Sequence, residues 1–266
     1  MFLLVNDSNR IQLSANRTYG SSITGQREKD EDFIVSGEFD NLRIGILCDG
    51  MGGEEKGEVS SETVAKGFLK AIYSLYNKNT NKWYLEEFRF GAYKKIVEKC
   101  HDVVARIAGE NKRSGTTLTA VILTYEDTNP KFADIIHIGD SRCYLIEDDK
   151  VELLTDDHTQ TGNMYRAEYI ELFEIPETAG NNVLTKHIGD EKKSSPDIQS
   201  ITFSSNSIFL LCCDGVWGPL HTKEGLWLPN NKKLGQEQAD EFVNYAIKKG
   251  STDNCSVLIL HSDIET

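Results

Sequence analysis

Two apolar runs in this 266-residue chain end abruptly on an aspartate that is followed by glycine. One is GILCDGMGG at residues 45–53, and the other is IFLLCCDGVWG at residues 208–218. A short continuous apolar run is typical of a buried β-strand, and a strand that ends in Asp-Gly holds a carboxylate on a stiff backbone at the rim of its sheet. The glycine lets a ligand or another segment approach the backbone closely. The sequence therefore predicts sheets with acidic rims.

Four aspartates share this kind of placement. Asp49, Asp140 and Asp214 follow strand-like runs, whereas Asp253 comes shortly before one. For any single Asp-Gly pair, a plain turn is the simpler interpretation. Four cases linked to strands favour a joint site instead, because converging carboxylates repel one another and a divalent cation removes that repulsion. Oxygen ligands without a histidine or cysteine motif suit Mg²⁺ or Mn²⁺ better than zinc.

The charged stretch REKDED at residues 27–32 adds further candidates. Arg27 offers a planar fork of donors that suits a phosphate group. Glu31 and Asp32 stand at the start of a strand-like run, where carboxylates suit a metal ion. Taken alone, the stretch is better interpreted as a solvated loop. Together with the four aspartates linked to strands, it favours a joint site.

Periodicity predicts a mixture of strands and helices. Strand-like runs occupy residues 32–39, 41–48, 116–125, 131–139, 142–148, 197–203, 207–213 and 255–262. Helical periodicity covers residues 58–76, 86–108 and 236–250, and Val59, Val64, Phe68 and Ile72 are expected on one side of the first helix. The segment 159–182 has weak periodicity, and we expect a surface flap there. The order of elements is an α+β pattern, and no linker divides residues 1–266, so we expect one domain.

Composition and charge exclude several classes of partner and mechanism. The formal charge of −13 repels nucleic acid and anionic lipid surfaces. The six cysteines show no C-x-x-C spacing and are expected to be buried, reduced thiols. MFLLV is too short for a signal sequence and no apolar run reaches a membrane-spanning length, so we expect a cytoplasmic protein without a membrane partner. Phosphate-loop, EF-hand, G-x-S-x-G and H-E-x-x-H motifs are absent from the sequence.

The motifs occur in an order that resembles a known family. They are REKDED, CDGMGG, SGTTLTAV, IGDSRCYLI, LLTDDHT, VLTKHIG, LLCCDGVWG and STDNCSVLIL. Their types, order and spacing resemble the metal-dependent serine/threonine protein phosphatases of the type 2C family, especially its bacterial members. The resemblance covers about residues 20–262. It implies a central β-sandwich of two antiparallel sheets flanked by helix pairs, with a two-metal centre at one end of the sheets.

The resemblance also implies a role for each candidate residue. Asp49 would bridge both Mg²⁺ or Mn²⁺ ions, Asp214 and Asp253 would complete one, and the Gly50 carbonyl and Glu31 would hold the other. Asp32 would orient a water in this shell, and Arg27 would bind the substrate phosphate. Asp140, with Asp214, matches a third and weaker metal site.

The activity implied is hydrolysis of phosphoserine and phosphothreonine in proteins by water that two metal ions activate, without a phospho-enzyme. The resemblance favours a monomer that acts in signalling on phosphorylated proteins. A catalytically inactive pseudophosphatase that serves as a binding module is the alternative, and a phosphatase for small molecules is a third possibility.

Three departures from the family affect the expected site. Met51 stands where some eukaryotic relatives have a histidine proposed to protonate the leaving group, which leaves the general acid unassigned, with metal-bound water as the alternative. Lys186 and His187 stand where arginine and alanine are more usual, which affects the substrate groove. His158 matches a family motif and is expected to support the fold.

Overall fold

A computed structural model describes residues 4–7, 10–15, 17–52, 56–109, 114–127, 129–148, 150–229 and 235–263, with side chains from residue 17 onward. The strands are β1 (Leu4–Asp7), β2 (Arg10–Ala15), β3 (Thr18–Ile23), β4 (Asp32–Phe39), β5 (Leu42–Met51), β6 (Gly115–Thr116), β7 (Leu118–Glu126), β8 (Asn129–Ile138), β9 (Arg142–Glu147), β10 (Lys150–Leu153), β11 (Asp197–Ile201), β12 (Ile208–Cys212), β13 (His221–Thr222), β14 (Gly225–Leu226) and β15 (Cys255–His261). The α-helices are α1 (Lys56–Lys78), α2 (Glu86–Ala108), α3 (Gln160–Arg166), α4 (Asp214–Leu220) and α5 (Gln236–Lys248). Two 3-10 helices span Thr80–Lys82 and Leu172–Glu177.

The strands form two large antiparallel sheets. The seven-stranded sheet has the order β1-β2-β3-β15-β12-β9-β10, and the other has the order β11-β8-β7-β5-β4 with β6 paired to β5. A separate two-stranded sheet joins β13 to β14. The predicted α+β class with two antiparallel sheets is therefore confirmed.

Burial on both faces explains why the sequence of strand β5 is a continuous apolar run. Alternate side chains, among them Ile44 and Ile46, pack in the core under α1 and α2. Leu47 points the other way, into the core shared with the seven-stranded sheet. Gly45 lies on that second side, where a Cβ atom would stand only 2.5 Å from Cδ1 of Leu260. Both faces of the strand are thus buried, as expected of the central layer of a layered fold.

Helices cover the outer face of each sheet. α1 packs on β4 and β5 and against α2, whereas α5 packs on β3 and β15 and against α4. Val64, Phe68 and Ile72 of α1 are buried, as predicted. The prediction for Val59 was wrong, because this residue is 45% exposed. Five residues of α-helix rotate by about 140° beyond one turn, so Val59 cannot share a face with Val64.

The eight predicted strands and three predicted helices all occur, with shifts of a few residues at their ends. Strands β1, β2, β3 and β10 were not predicted, nor were the two-residue strands β6, β13 and β14 as separate strands. β2 (RIQLSA) and β10 (KVEL) do alternate polar and apolar residues, but over only six and four residues, and β3 (TYGSSI) is mostly small and polar. The expected flap at 159–182 contains α3, which Thr159 caps by accepting a hydrogen bond from the Gly162 amide at 2.8 Å, and one of the 3-10 helices.

Two further predictions concern the cysteines and the membrane. All six cysteines are buried free thiols, as predicted. Within the described residues, no helix has the length and apolar character needed to cross a bilayer.

Candidate metal centre

Strand pairing brings the predicted acidic residues to one end of the sandwich. Asp32 begins β4 and lies opposite Asp49 on β5 in the antiparallel register. On the other sheet, Asp214 begins α4 directly after β12, and Asp253 precedes β15, the strand that pairs with β12. Asp140 lies in the turn between β8 and β9. Residues that are far apart in the chain therefore meet because their strands end at the same rim.

These rims enclose a cleft of about 610 Å³. Seven of the eight predicted site residues line it: Arg27, Glu31, Asp49, Gly50, Asp140, Asp214 and Asp253. Its remaining lining residues are Met51, Gly52, Thr117, Asn182, Val183, Leu184, His187 and Asn254. Asp32 is absent from the lining and is buried beside Asp49, its partner on the adjacent strand. The acidic residues that the sequence singled out thus share one concave site with a single arginine among the described lining residues.

Asp49 is held by the backbone of the strands beside it. Its amide donates a hydrogen bond to Oγ1 of Thr117 at 2.9 Å, and the Thr117 amide donates to the Asp49 carbonyl at 2.8 Å. Burial, together with the neighbouring carboxylates of Asp32 and Asp214, raises the pKa of Asp49 well above its ordinary value. The hydrogen bonds therefore fix the backbone position of Asp49, while the neighbouring carboxylates leave the negative charge of its side chain uncompensated.

Asp32 is a carboxylate buried beside Asp49. Its exposure is 4%, and neither carboxylate oxygen accepts a hydrogen bond within the described part of the chain. Burial and the neighbouring Asp30 raise its pKa well above the ordinary range. One carboxylate oxygen each from Asp32 and Asp49 and the Cys213 sulfur lie within 4.8 Å of one another. A buried carboxylate without partners is costly, so this geometry suits a bound cation or an ordered water.

The Cys213 sulfur is a poorer candidate ligand than the carboxylates. It donates a hydrogen bond to the Asn254 carbonyl at 3.4 Å and accepts one from the Ser256 amide at 3.1 Å. Burial raises the pKa of this thiol well above its ordinary value, so the sulfur is neutral. Metals bind the thiolate form, so the oxygen atoms remain the relevant donors.

Asp214, Asp253 and Arg27 form the opposite wall. Burial and the carboxylate of Asp253 raise the pKa of Asp214 to about 6. Nη2 of Arg27 donates to Oδ2 of Asp253 at 2.6 Å. Arg27 is 57% exposed at its side chain, and this contact raises its pKa. A guanidinium has five N–H donors, so Arg27 can hold Asp253 and a phosphate oxygen together.

Asn254 fixes the loop that carries Arg27 and Glu31. Its Oδ1 accepts a hydrogen bond from the Glu31 amide at 2.9 Å, and its Nδ2 donates to the carbonyls of Thr24 and Lys29 at 2.9 and 2.8 Å. Asn254 lies in the STDNCSVLIL motif, but no role for it was predicted from the sequence. The only signal in the sequence is its position directly before a strand, because Asn and Asp side chains at such positions often form hydrogen bonds with nearby backbone.

Asp140 is held from behind by aromatic and charged residues. The indole Nε1 of Trp217 donates to the Asp140 carbonyl at 2.9 Å. The guanidinium of Arg142 lies 3.5 Å from the centre of the Trp217 ring and pairs with Asp157 at 2.7 Å. Burial and the carboxylate of Asp214 raise the pKa of Asp140 well above its ordinary value.

His158 also contacts this turn. Its Nδ1 accepts a hydrogen bond from the Gly139 amide at 3.0 Å, and its own amide donates to the Gly139 carbonyl at 2.7 Å. The side chain is buried and does not line the cleft. This placement agrees with the supporting role expected from the sequence.

The donor set fits a hard divalent cation. Four carboxylates in and behind the cleft, those of Asp32, Asp49, Asp140 and Asp214, have pKa values raised by burial. Their ionised forms need positive charge, and Arg27 already pairs with Asp253. Oxygen donors of this kind are those that Mg²⁺ and Mn²⁺ prefer.

Comparisons with known proteins place this chain in one family. The family model of protein phosphatase 2C matches residues 20–255. The serine/threonine phosphatase stp of Listeria monocytogenes is 29% identical over 227 residues, which cover 85% of this chain and 86% of that protein. The chain therefore belongs to the protein phosphatase 2C family.

Solved structures agree with this assignment. The serine/threonine phosphatase of S. agalactiae has a TM-score of 0.76 at 20% identity and covers 93% of this chain and 100% of its own, which shows the shared fold. The catalytic domain of the phosphatase PstP in complex with two manganese ions has a TM-score of 0.69 at 25% identity, covering 91% and 96% of the two chains. Family membership makes this chain a metal-dependent protein serine/threonine phosphatase, a hydrolase whose substrates are phosphorylated proteins.

Proposed function

We propose that the chain hydrolyses phosphoserine and phosphothreonine at a centre of two Mg²⁺ or Mn²⁺ ions, without a covalent phospho-enzyme. The observation that carries this proposal is the convergence of Glu31, Asp49, Asp214 and Asp253 with Arg27 on one cleft. The two manganese ions named for the related PstP structure support the number of ions. A monomeric state and a cytoplasmic, signalling role remain predictions.

The carboxylates divide naturally between two ions. Asp49 would contact both ions, since it lines the cleft together with Glu31 on one side and Asp214 and Asp253 from the other sheet. Asp214 and Asp253 would complete one coordination shell. The Gly50 carbonyl and Glu31 would contribute to the other, and the Gly50 amide already ties these two residues by donating to the Glu31 carbonyl at 3.0 Å.

Asp32 would act one layer further back. It lies opposite Asp49 in the strand pair and outside the cleft lining. Its buried oxygens can accept hydrogen bonds and so orient a water that enters the shell. Asp140, with Asp214, would hold a third and weaker ion, supported by the electrostatic interaction between the two carboxylates.

The chemistry requires a nucleophile, charge neutralisation and a departing hydroxyl. Bound divalent ions lower the pKa of water and neutralise charge on a phosphoryl group. Arg27, at the cleft mouth, would orient the phosphate through its planar donors and stabilise the charge that develops on its oxygens. The cysteines are buried with raised pKa values, for example about 12 for Cys212 and Cys255, so thiolate nucleophiles are not available in this fold.

The first experiment measures turnover of p-nitrophenyl phosphate and a phosphothreonine peptide in EDTA, Mg²⁺ and Mn²⁺. We expect turnover only with metal, and none for Asp214→Asn. Asp102→Asn is the matched control, because Asp102 is exposed on α2 and pairs with Lys193 away from the cleft. Metal binding without turnover would contradict the proposal and favour a binding module; full activity of Asp214→Asn would place the site elsewhere.

A further inference from the structure

One histidine lines the cleft among the residues that the structure describes. It is His187, which is half-buried, whereas the other five histidines lie outside the lining. Its segment is fixed beside β6, because the Thr116 amide donates to the Ile188 carbonyl at 3.1 Å and the Ile188 amide donates to the Thr116 carbonyl at 2.9 Å. The imidazole therefore sits on a backbone that is hydrogen-bonded into the sheet rim.

This histidine lies one strand away from the metal-binding end of β5. β6 pairs with β5 so that Gly115 faces Met51, which is two residues after Asp49. A Cβ atom on Gly115 would lie 2.7 Å from Nδ1 of His187. The ring thus packs directly on the Gly115 backbone, and neighbouring strands are about 4.8 Å apart. His187 and Met51 consequently occupy adjacent positions on the cleft wall.

The hydrogen bonding of the ring identifies the nitrogen that can exchange a proton. Nδ1 of His187 lies 3.2 Å from the Ile188 carbonyl oxygen. A carbonyl can only accept, so Nδ1 carries a hydrogen in this contact. Nε2 is then the nitrogen that gains and loses the second proton.

We propose that His187 is the general acid that protonates the leaving serine or threonine oxygen, an inference that rests on the proposed function. The bond from phosphorus to the ester oxygen breaks as a bond from phosphorus to a water oxygen forms. The ester oxygen takes the proton from Nε2 of the imidazolium and leaves as the hydroxyl of the product. The water releases one proton to solvent, and the neutral imidazole regains one from solvent.

The other groups in the lining are less suited to this step. Met51 carries no exchangeable proton, and Arg27 keeps its protons throughout the physiological range. The carboxylates must be ionised to bind metal, which removes their protons. His187 is the described lining residue that carries an imidazole, the side chain that most often acts as a general acid or base in enzymes.

The test compares two leaving groups with the metal-loaded enzyme. A serine or threonine alkoxide is a poor leaving group and needs a proton, whereas p-nitrophenolate departs as an anion. We expect His187→Gln to lower kcat on a phosphothreonine peptide roughly 100-fold, the usual scale of general acid catalysis, and to leave kcat on p-nitrophenyl phosphate near the wild-type value. His261→Gln, at a histidine on β15 outside the cleft, is the matched control and should behave as wild type on both substrates.

Each outcome bears on the assignment. Equal losses on the two substrates, or an unchanged rate on the peptide, would overturn it. If His187→Gln does not fold, His187→Gly is assayed in its place with and without added imidazole. Recovery of peptide turnover by imidazole would support the proposal, and no recovery would refute it. Wild-type enzyme that turns over neither substrate with metal would show that the proposed function itself fails, which removes the basis for this inference.

Discussion

Replacing Asn254 with alanine tests whether one side chain holds the phosphate and metal loop in place. Asn254 is 6% exposed, and its amide group makes three hydrogen bonds to the backbone of Thr24, Lys29 and Glu31. A net contribution of about 0.5–1.5 kcal/mol for each bond gives a loss of roughly 2–4 kcal/mol in the free energy of unfolding. For a chain of this size, that corresponds to a fall of roughly 5–15 °C in Tm.

The assay is thermal unfolding of the metal-free protein in EDTA, so that changes in metal binding do not contribute. Asn163→Ala is the matched control, because Asn163 is exposed on α3 and its side chain pairs only with the exposed side of Arg166 among the described residues. We expect the control to remain within about 0.5 kcal/mol of wild type. A metal-free Tm for Asn254→Ala within about 1 °C of wild type would refute the reasoning.

The same variant has a predicted effect on function. The loop released by Asn254→Ala carries Arg27 and Glu31, so we expect a higher KM for a phosphopeptide and weaker metal binding by calorimetry. If the Tm falls while KM and metal affinity keep their wild-type values, the Asn254 hydrogen bonds stabilise the fold but do not determine how the loop binds phosphate or metal.

Three further predictions concern charge in the cleft. Asp214→Asn should abolish metal-dependent turnover and yet stabilise the metal-free protein at pH 7.5 by roughly 1–3 kcal/mol. The reason is that Asp214 is ionised at this pH, at a free-energy cost set by its raised pKa of about 6. Urea unfolding in EDTA measures the change in stability, and a destabilised variant would contradict the prediction. The pKa of Asp214 is raised from 3.8 in the unfolded chain to about 6 in the folded protein, so its contribution to folding stability is full below pH 3.8 and is lost as pH rises through about 6. A bound cation offsets this loss, so the gain in Tm from Mg²⁺ should be larger at pH 7.5 than at pH 5.5. An equal or smaller gain would count against metal binding by these carboxylates. Arg27→Ala should chiefly raise KM, because the phosphate is held partly in the ground state, and steady-state kinetics with an unchanged KM would rule out this role.

Much of the fold could be predicted because its signals are local. The apolar runs that became β5, β12 and β15 are buried on both faces, and their sequences show it directly. The 3.6-residue period of α1 located its buried face correctly, with one exception. Val59 was assigned to that face because it is apolar, although its spacing from Val64 does not fit. Strand β3 was missed because the sequence TYGSSI is mostly small and polar, although the fold buries most of it between β2 and β15.

The site was predictable in its members but less so in its arrangement. Asp49 and Asp214 each stand at the end of an apolar strand, and that local pattern marks a carboxylate at a rim. No local pattern distinguishes Asp32, which lies behind the cleft, from Glu31, which lines it. Glu31 lies just before β4, whereas Asp32 is the first residue of the strand and pairs with Asp49, so only the folded arrangement of this strand end brings Glu31 into the cleft and leaves Asp32 buried.

The sequence by itself determined eight of the strands, the long helices, the acidic rims and the family, since each depends on residue types within a short window or on the order of motifs. Only the tertiary structure decided which distant residues touch. Asn254 bonds to Glu31 across 223 positions, and His187 reaches the wall beside Met51 through the pairing of β5 with β6. The physical reason is that periodicity reports how a segment meets the core, whereas contacts between segments depend on how whole sheets pair and pack.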